Sequence, residues 1–311
     1  MRDYTIFILT NSESDLSKIE FKEFIILNIN SKEFNEFCKT TNTSEKISEE
    51  INNDIFDKSE RFALINKDRT KKFGVKRIYD VYHFLLILFP SSLKIEYILN
   101  YQVLEKEIRF ESSFKTDEIR RYEPDNLLFY NEKDISSINK FITSYYDEYL
   151  KNNYLKNTIQ HYWNGFETNY YHFSFLAFCI SLESIINGRN ELLYRIARSV
   201  AIIAGENESK SEILFKNIKL IYDLRSKIIH GTEFDDDLVS EYLKYLQNIV
   251  SKIIIELLIH GIENIETLNY KITKIGFGDR NKISNNWKEF AFNQNLEKII
   301  QTELPKKIIE Q

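Results

Sequence analysis

The sequence predicts an α+β chain, with a mixed N-terminal domain followed by an all-α bundle. Three observations carry this reading. Runs rich in aromatic and β-branched residues, the strand formers, stand between residues 4 and 115. From about residue 134 the apolar spacing changes to the helical period and keeps it. Three prolines and eight glycines in 311 residues leave few places at which long helices would break. We therefore expect two domains, residues 1–130 mixed α/β and residues 131–311 helical with a C-terminal extension. No proline- or glycine-rich linker marks the junction.

In chain order, "YTIFIL" (4–9) and "FKEFIILNI" (21–29) read as strands, and the polar "NTSEKISEEINND" (42–54) as a loop or exposed helix. "NKDRTKKFGVKR" (66–77) has six basic residues to one acidic. Its plainer reading is a solvated loop. Its functional reading is a grip on an RNA backbone through Lys71, Lys72, Lys76 and Arg77. "RIYDVYHFLLILF" (77–89), stopped by Pro90, is a buried helix, and "LKIEYILNYQV" (93–103) and "KEIRFESSFK" (106–115) are strands. Asp134 then stands where a helix N-cap belongs. One long aromatic helix is expected over about 157–187, then helices over 190–205, 210–231 and 238–261, each closed by a glycine.

Composition narrows the function. A hydrophobic fraction of 43% and a charged fraction of 29% are those of a soluble globular protein. The net charge of −5 excludes a generally basic surface, so any nucleic-acid contact must use a local patch. Cys38 and Cys179 fit no zinc spacing and read as free thiols in a reducing compartment. With no secretory leader after Met1, and apolar runs too short or too charged to span a bilayer, a cytoplasmic protein is expected. "GFGDR" (276–280) lacks the third glycine of a dinucleotide loop. His83, His161, His172 and His260 show no ligand spacing, so neither metal nor cofactor is expected.

The stretch that resists a purely structural reading is "DLRSKIIHG" (223–231). At about 100° per residue, Ile218, Leu220, Ile221, Leu224, Ile228 and Ile229 fill one arc, and Arg225 falls inside it. A guanidinium turned to a core cannot neutralise itself and costs several kcal/mol unless met. A carboxylate, a partner subunit or an anionic ligand must meet it. Glu183, inside the apolar "CISLESIIN", is the best carboxylate. His230 ends the helix, where the dipole favours the imidazolium by about 1–2 kcal/mol, and Glu233 and Asp235 to Asp237 follow. Five residues separate it from Arg225, roughly 7.5 Å along the axis and 140° around it.

Arg225-Ser-Lys-Ile-Ile-His230 matches the R-x4-H motif of HEPN domains. "SLESIIN", "ELLYRIARSVAIIAG" and "IYDLRSKIIHG", in that order, resemble the Apea-like HEPN group over roughly residues 160–260. The resemblance implies an HEPN-like helical bundle, a homodimer about the motif helix, and metal-independent endoribonuclease activity. It implies Arg225 and His230 as catalytic residues, with Ser226 orienting a phosphate oxygen and Glu183 holding Arg225. RNA, with tRNA among the candidates, is then the substrate, and its 2′-OH the nucleophile. Proteins of this kind resemble toxins and effectors of anti-phage defence, which implies a sensing or regulatory role for residues 1–130 and a phage trigger or regulatory partner. The rival expectation is a non-catalytic HEPN-like module that dimerises or binds RNA.

Overall fold

The structure, a computed structural model, describes residues 4–43, 51, 60–68, 75–104, 107–116, 127–168, 170–186, 191–276 and 293–305. The chain divides into two units, Met1–Ile119 with Pro124–Tyr146, and Arg120–Glu123 with Asp147–Gln311.

The first unit is built on a five-stranded antiparallel sheet in the order β2-β3-β1-β4-β5. The strands are β1 (Tyr4–Ser12), β2 (Phe24–Asn28), β3 (Glu60–Asn66), β4 (Lys94–Val103) and β5 (Ile108–Lys115). The central strand β1 is buried at every position. Its alternation places Tyr4, Ile6 and Ile8 in one cluster with Ala63, Ile65, Tyr97 and Leu99, covered by Phe34 and Phe37 of α1 (Lys32–Thr40). Phe7, on the opposite face, packs against Tyr79 of α2 (Val75–Leu88), with ring centroids 4.7 Å apart. The far side of α2 is closed in turn, for Phe84 meets Phe141 and Tyr146 of α3 (Ile135–Lys151). The "FLLIL" run that ends this helix (84–88) is buried at every position, as packing between two layers requires, while Lys76, Asp80 and His83 keep one less buried polar face.

The second unit is helical: α4 (Lys156–Glu167), α5 (Tyr171–Ile185), α6 (Leu192–Ala204), α7 (Glu208–His230), α8 (Asp236–Ile259), α9 (Ile265–Gly276) and α10 (Gln294–Ile300). α8 is its axis, buried along most of its length and in contact with α4, α5, α6, α7 and α10. Asn217 of α7 clamps the C-terminal segment, donating to the Thr302 carbonyl (2.8 Å) and accepting from the Leu304 amide (3.1 Å).

Three expectations change. The strand β3 does not appear in the sequence reading, because its "RFALIN" run is buried on both faces and so lacks the alternation of a half-exposed strand. The single helix expected over 157–187 is a hairpin of α4 and α5, since Thr168 and Tyr170 are extended. What drives the turn is packing: Gly165 lets the Phe178 ring approach so closely that a Cβ there would lie 2.6 Å from it. Asp134 is not an N-cap. It closes a 3-10 turn, Glu132–Asp134, that Asn131 caps by accepting from the Lys133 amide.

Candidate active site

The motif helix α7 is bounded as its end residues dictate. Asn207 accepts from the Lys210 amide at the start, and Gly231 takes the left-handed conformation (φ 64°) at the end. The Gly231 and Thr232 amides return to the Ile228 and Lys227 carbonyls. This fixes His230 as the last helical residue, beside carbonyls that carry the negative end of the dipole. The acids beyond it have another task. Asp235 caps α8, accepting from the amides of Asp237 (2.9 Å) and Leu238 (3.3 Å), while Asp236 and Asp237 occupy its first turn.

Arg225 meets Glu183. Its Nη2 lies 3.1 Å from Oε1 and 3.4 Å from Oε2 of that carboxylate, in the last turn of α5. Cys179 and Tyr222 lie near this pair. Burial, with Glu183 nearby, pushes both the Cys179 thiol and the Tyr222 phenol well up, so both stay neutral. Tyr222 Oη donates to the Cys179 carbonyl at 3.4 Å. Cys179 is therefore packing, not a nucleophile, and both cysteines are free.

A second arginine shows what a purely structural pair looks like in this chain. Arg61 of β3 grips Glu96 of β4 through Nε (2.6 Å) and Nη2 (3.1 Å), and its Nη1 donates to the Ile51 carbonyl (3.0 Å). Both side chains are nearly sealed, at 8% and 11% exposure. That fork is fully used. At Arg225 a single Nη2 carries the whole contact, Nε is buried without an acceptor, and 29% of the side chain is open. Arg225 is thus oriented by Glu183 yet keeps donors for another anion.

Ser226 and His230 are exposed and carry no hydrogen bond or ion pair among the described residues. They share one face of α7, being four residues apart, whereas Arg225 lies about 140° round from His230. The apolar arc differs from expectation at its end. Ile229 is 46% exposed and Ile228 half-buried, because nothing among the described residues covers the last turn. The basic stretch contributes less than its composition suggests. Lys71 and Lys72 lie outside the described residues, while Lys76 and Arg77 form the first turn of α2, in the N-terminal unit and not in a loop. Arg77 is ion-paired with Glu23, and Lys76 is exposed.

One buried polar cluster is not evident in the sequence. On α8, Lys252 contacts Glu256 (3.0 Å) and Glu297 of α10 (2.7 Å), and His260 Nε2 stands 3.5 Å from Glu256. Burial pushes His260 down to about 4, so it is neutral at pH 7. The spacing Lys252, Glu256, His260 is legible as i, i+4, i+8, but its burial is not. Among the described residues no group of three or more His, Cys, Asp or Glu side chains is disposed to hold a metal ion. No helix among them is long and apolar enough to cross a membrane. Comparisons with family models, with curated proteins and with solved structures return no match.

Proposed function

We propose that this protein is a metal-independent endoribonuclease of the HEPN type, with Arg225 and His230 as its catalytic residues and Ser226 and Glu183 in support. The observation that carries the reading is the half-used guanidinium of Arg225, partly open on a helix whose last residue is an exposed histidine. RNA needs little else. Its 2′-OH attacks the adjacent phosphorus while the bond to the 5′-oxygen breaks, giving a 2′,3′-cyclic phosphate and a 5′-OH. The imidazole moves the proton from the attacking oxygen to the leaving one, and the guanidinium offsets charge on the phosphoryl oxygens. A role as a toxin or effector of anti-phage defence in the cytoplasm belongs to the same proposal, with regulation by the N-terminal unit.

The test is the chemistry of the cut ends. Cleavage by the purified protein should persist in EDTA, leave a 2′,3′-cyclic phosphate or its opened product, and fail on RNA with 2′-deoxy at the scissile position. A strict metal requirement, or equal cutting of DNA, excludes this mechanism. No cleavage of any RNA leaves the non-catalytic module in its place.

A homodimer belongs to the same proposal, and α5 supports it. The helix is apolar on nearly all sides, which suits a helix covered all round. Within one chain, however, Phe173 (52%) and Ile180 (39%) are exposed along one stripe, one turn before Glu183. A second copy laid against that stripe would cover it and bring two motif helices near one cleft. Ile180→Glu is expected to convert a dimer into a monomer by sedimentation and to lower cleavage with it. An active protein that sediments as a monomer at micromolar concentration contradicts the assembly.

A further inference from the structure

The first turn of α6 and the middle of α7 enclose a cleft of about 610 Å³, within the range of small-ligand sites. It is lined by Glu191, Leu192, Leu193, Tyr194, Phe215 and Lys219. The two rings stand edge to face with centroids 6.0 Å apart, and Lys219 Nζ lies over the Phe215 ring at 5.9 Å. Tyr194 is 53% exposed, so most of one large aromatic surface faces water. An exposed aromatic plane, a second ring behind it and a cation on the wall suit a flat heterocycle joined to an anion.

Placement on the helix adds the decisive constraint. On the wheel of α7, Phe215, Lys219, Ser226 and His230 fall within about 60° of one another, along about 22 Å of axis. The cleft and the exposed histidine therefore lie on one stripe of one helix, separated by a few nucleotides of chain. Asp223 borders that stripe and forms no ion pair among the described residues, so Lys219 is not neutralised by it.

We propose that this cleft is a base-stacking subsite. It takes one unpaired base of a single-stranded RNA stacked on Tyr194 with its edge toward Phe215, with Lys219 on the adjoining phosphate, and the strand runs along α7 toward Ser226 and His230. The inference rests on the ribonuclease reading for its ligand and adds to it a fixed point of substrate register away from the scissile bond.

The test is binding, so that it does not depend on cleavage. The probe is a fluorescein-labelled single-stranded RNA, 2′-O-methylated throughout so that it is not cut, read by fluorescence polarisation. Tyr194→Ala is expected to weaken binding about five-fold or more, the loss of one base–aromatic stack, and Tyr194→Phe to retain it. Lys219→Gln should lower the slope of log affinity against log salt by about 0.7, one phosphate contact. Moving an abasic site along the probe should find a position that costs the wild type as much as Tyr194→Ala does, and costs that variant nothing more. Matched melting curves exclude misfolding, since both side chains are exposed.

Wild-type affinity in both Tyr194→Ala and Lys219→Gln, or no RNA binding by the wild type, overturns the proposal. If RNA is bound with these losses but never cut, the subsite stands and the ribonuclease reading fails. If RNA is cut equally well by all three proteins, the subsite fails alone. Should Tyr194→Ala alter sedimentation while RNA affinity is unchanged, the cleft is a protein contact and the proposal is wrong.

Discussion

His230→Ala is expected to lower RNA cleavage by about 10²–10⁴-fold, the contribution of a positioned proton-transfer group, while the protein stays folded. The asymmetry follows from its position. An exposed residue at a helix end gives up at most about 1–2 kcal/mol of dipole interaction, and His230 has no partner among the described residues to strand. Arg225→Lys keeps the charge but loses the planar fork. A lysine holding Glu183 has no second edge to offer a phosphate, so activity should fall sharply with little change in Tm. Arg225→Ala should lose activity and about 1–3 kcal/mol of stability, because its pair with Glu183 is neither fully buried nor surface-exposed. Initial rates on a cleavable RNA, set beside melting curves for each variant, decide the matter. Cleavage by His230→Ala at the wild-type rate would falsify the assigned roles. Losses of activity only in proportion to lost folded protein make Arg225 and His230 structural.

How much of this is legible in the sequence depends on how local the cause is. The end of α7 is written in Gly231, and the geometry follows that residue, whereas the helix begins at Glu208, capped by Asn207, two residues before the expected 210. The mixed first unit and helical second unit follow from periodicity alone. The pairing of Arg225 with Glu183 is also foreseeable, because a charged residue on an apolar arc demands a partner and Glu183 is set among apolar neighbours. Each failure has a long-range cause. β3 is a strand because two neighbours sandwich it, and "RFALIN" alone does not distinguish that from a buried helix turn. The break between α4 and α5 has no proline or glycine at the turn itself; it depends on Phe178 meeting Gly165 across the hairpin. Ile229 shows the limit of the wheel, which gives direction around a helix but not whether anything stands there.

Burial was the other illegible quantity, and at Lys252 it predicts a large effect. Glu256 is 1% exposed and Lys252 7%, and the cation is shared with Glu297 on α10. Burial pushes the Glu256 carboxyl up, with Lys252 opposing it. Lys252→Met keeps the volume but removes the cation, leaving a buried carboxylate unpaired, which is expected to cost about 3–5 kcal/mol near neutral pH. Glu297, at 18% exposure, reaches water and survives the change better. The sign of the pH dependence follows. In the variant the folded-state pKa of Glu256 rises further above its unfolded value, so the folded state binds the extra proton. Stability is then fully present below the unfolded pKa and is lost as pH rises through the folded one. The deficit relative to wild type should be smallest near pH 5 and grow toward pH 8. Adding Glu256→Gln should recover most of the loss and flatten the slope, because no charge remains to be buried. Denaturant unfolding of wild type, Lys252→Met and the double variant across that pH range tests all three expectations. A Lys252→Met protein as stable as wild type at every pH would show that Glu256 is solvated or protonated already, and that the lysine does not hold α10 to α8.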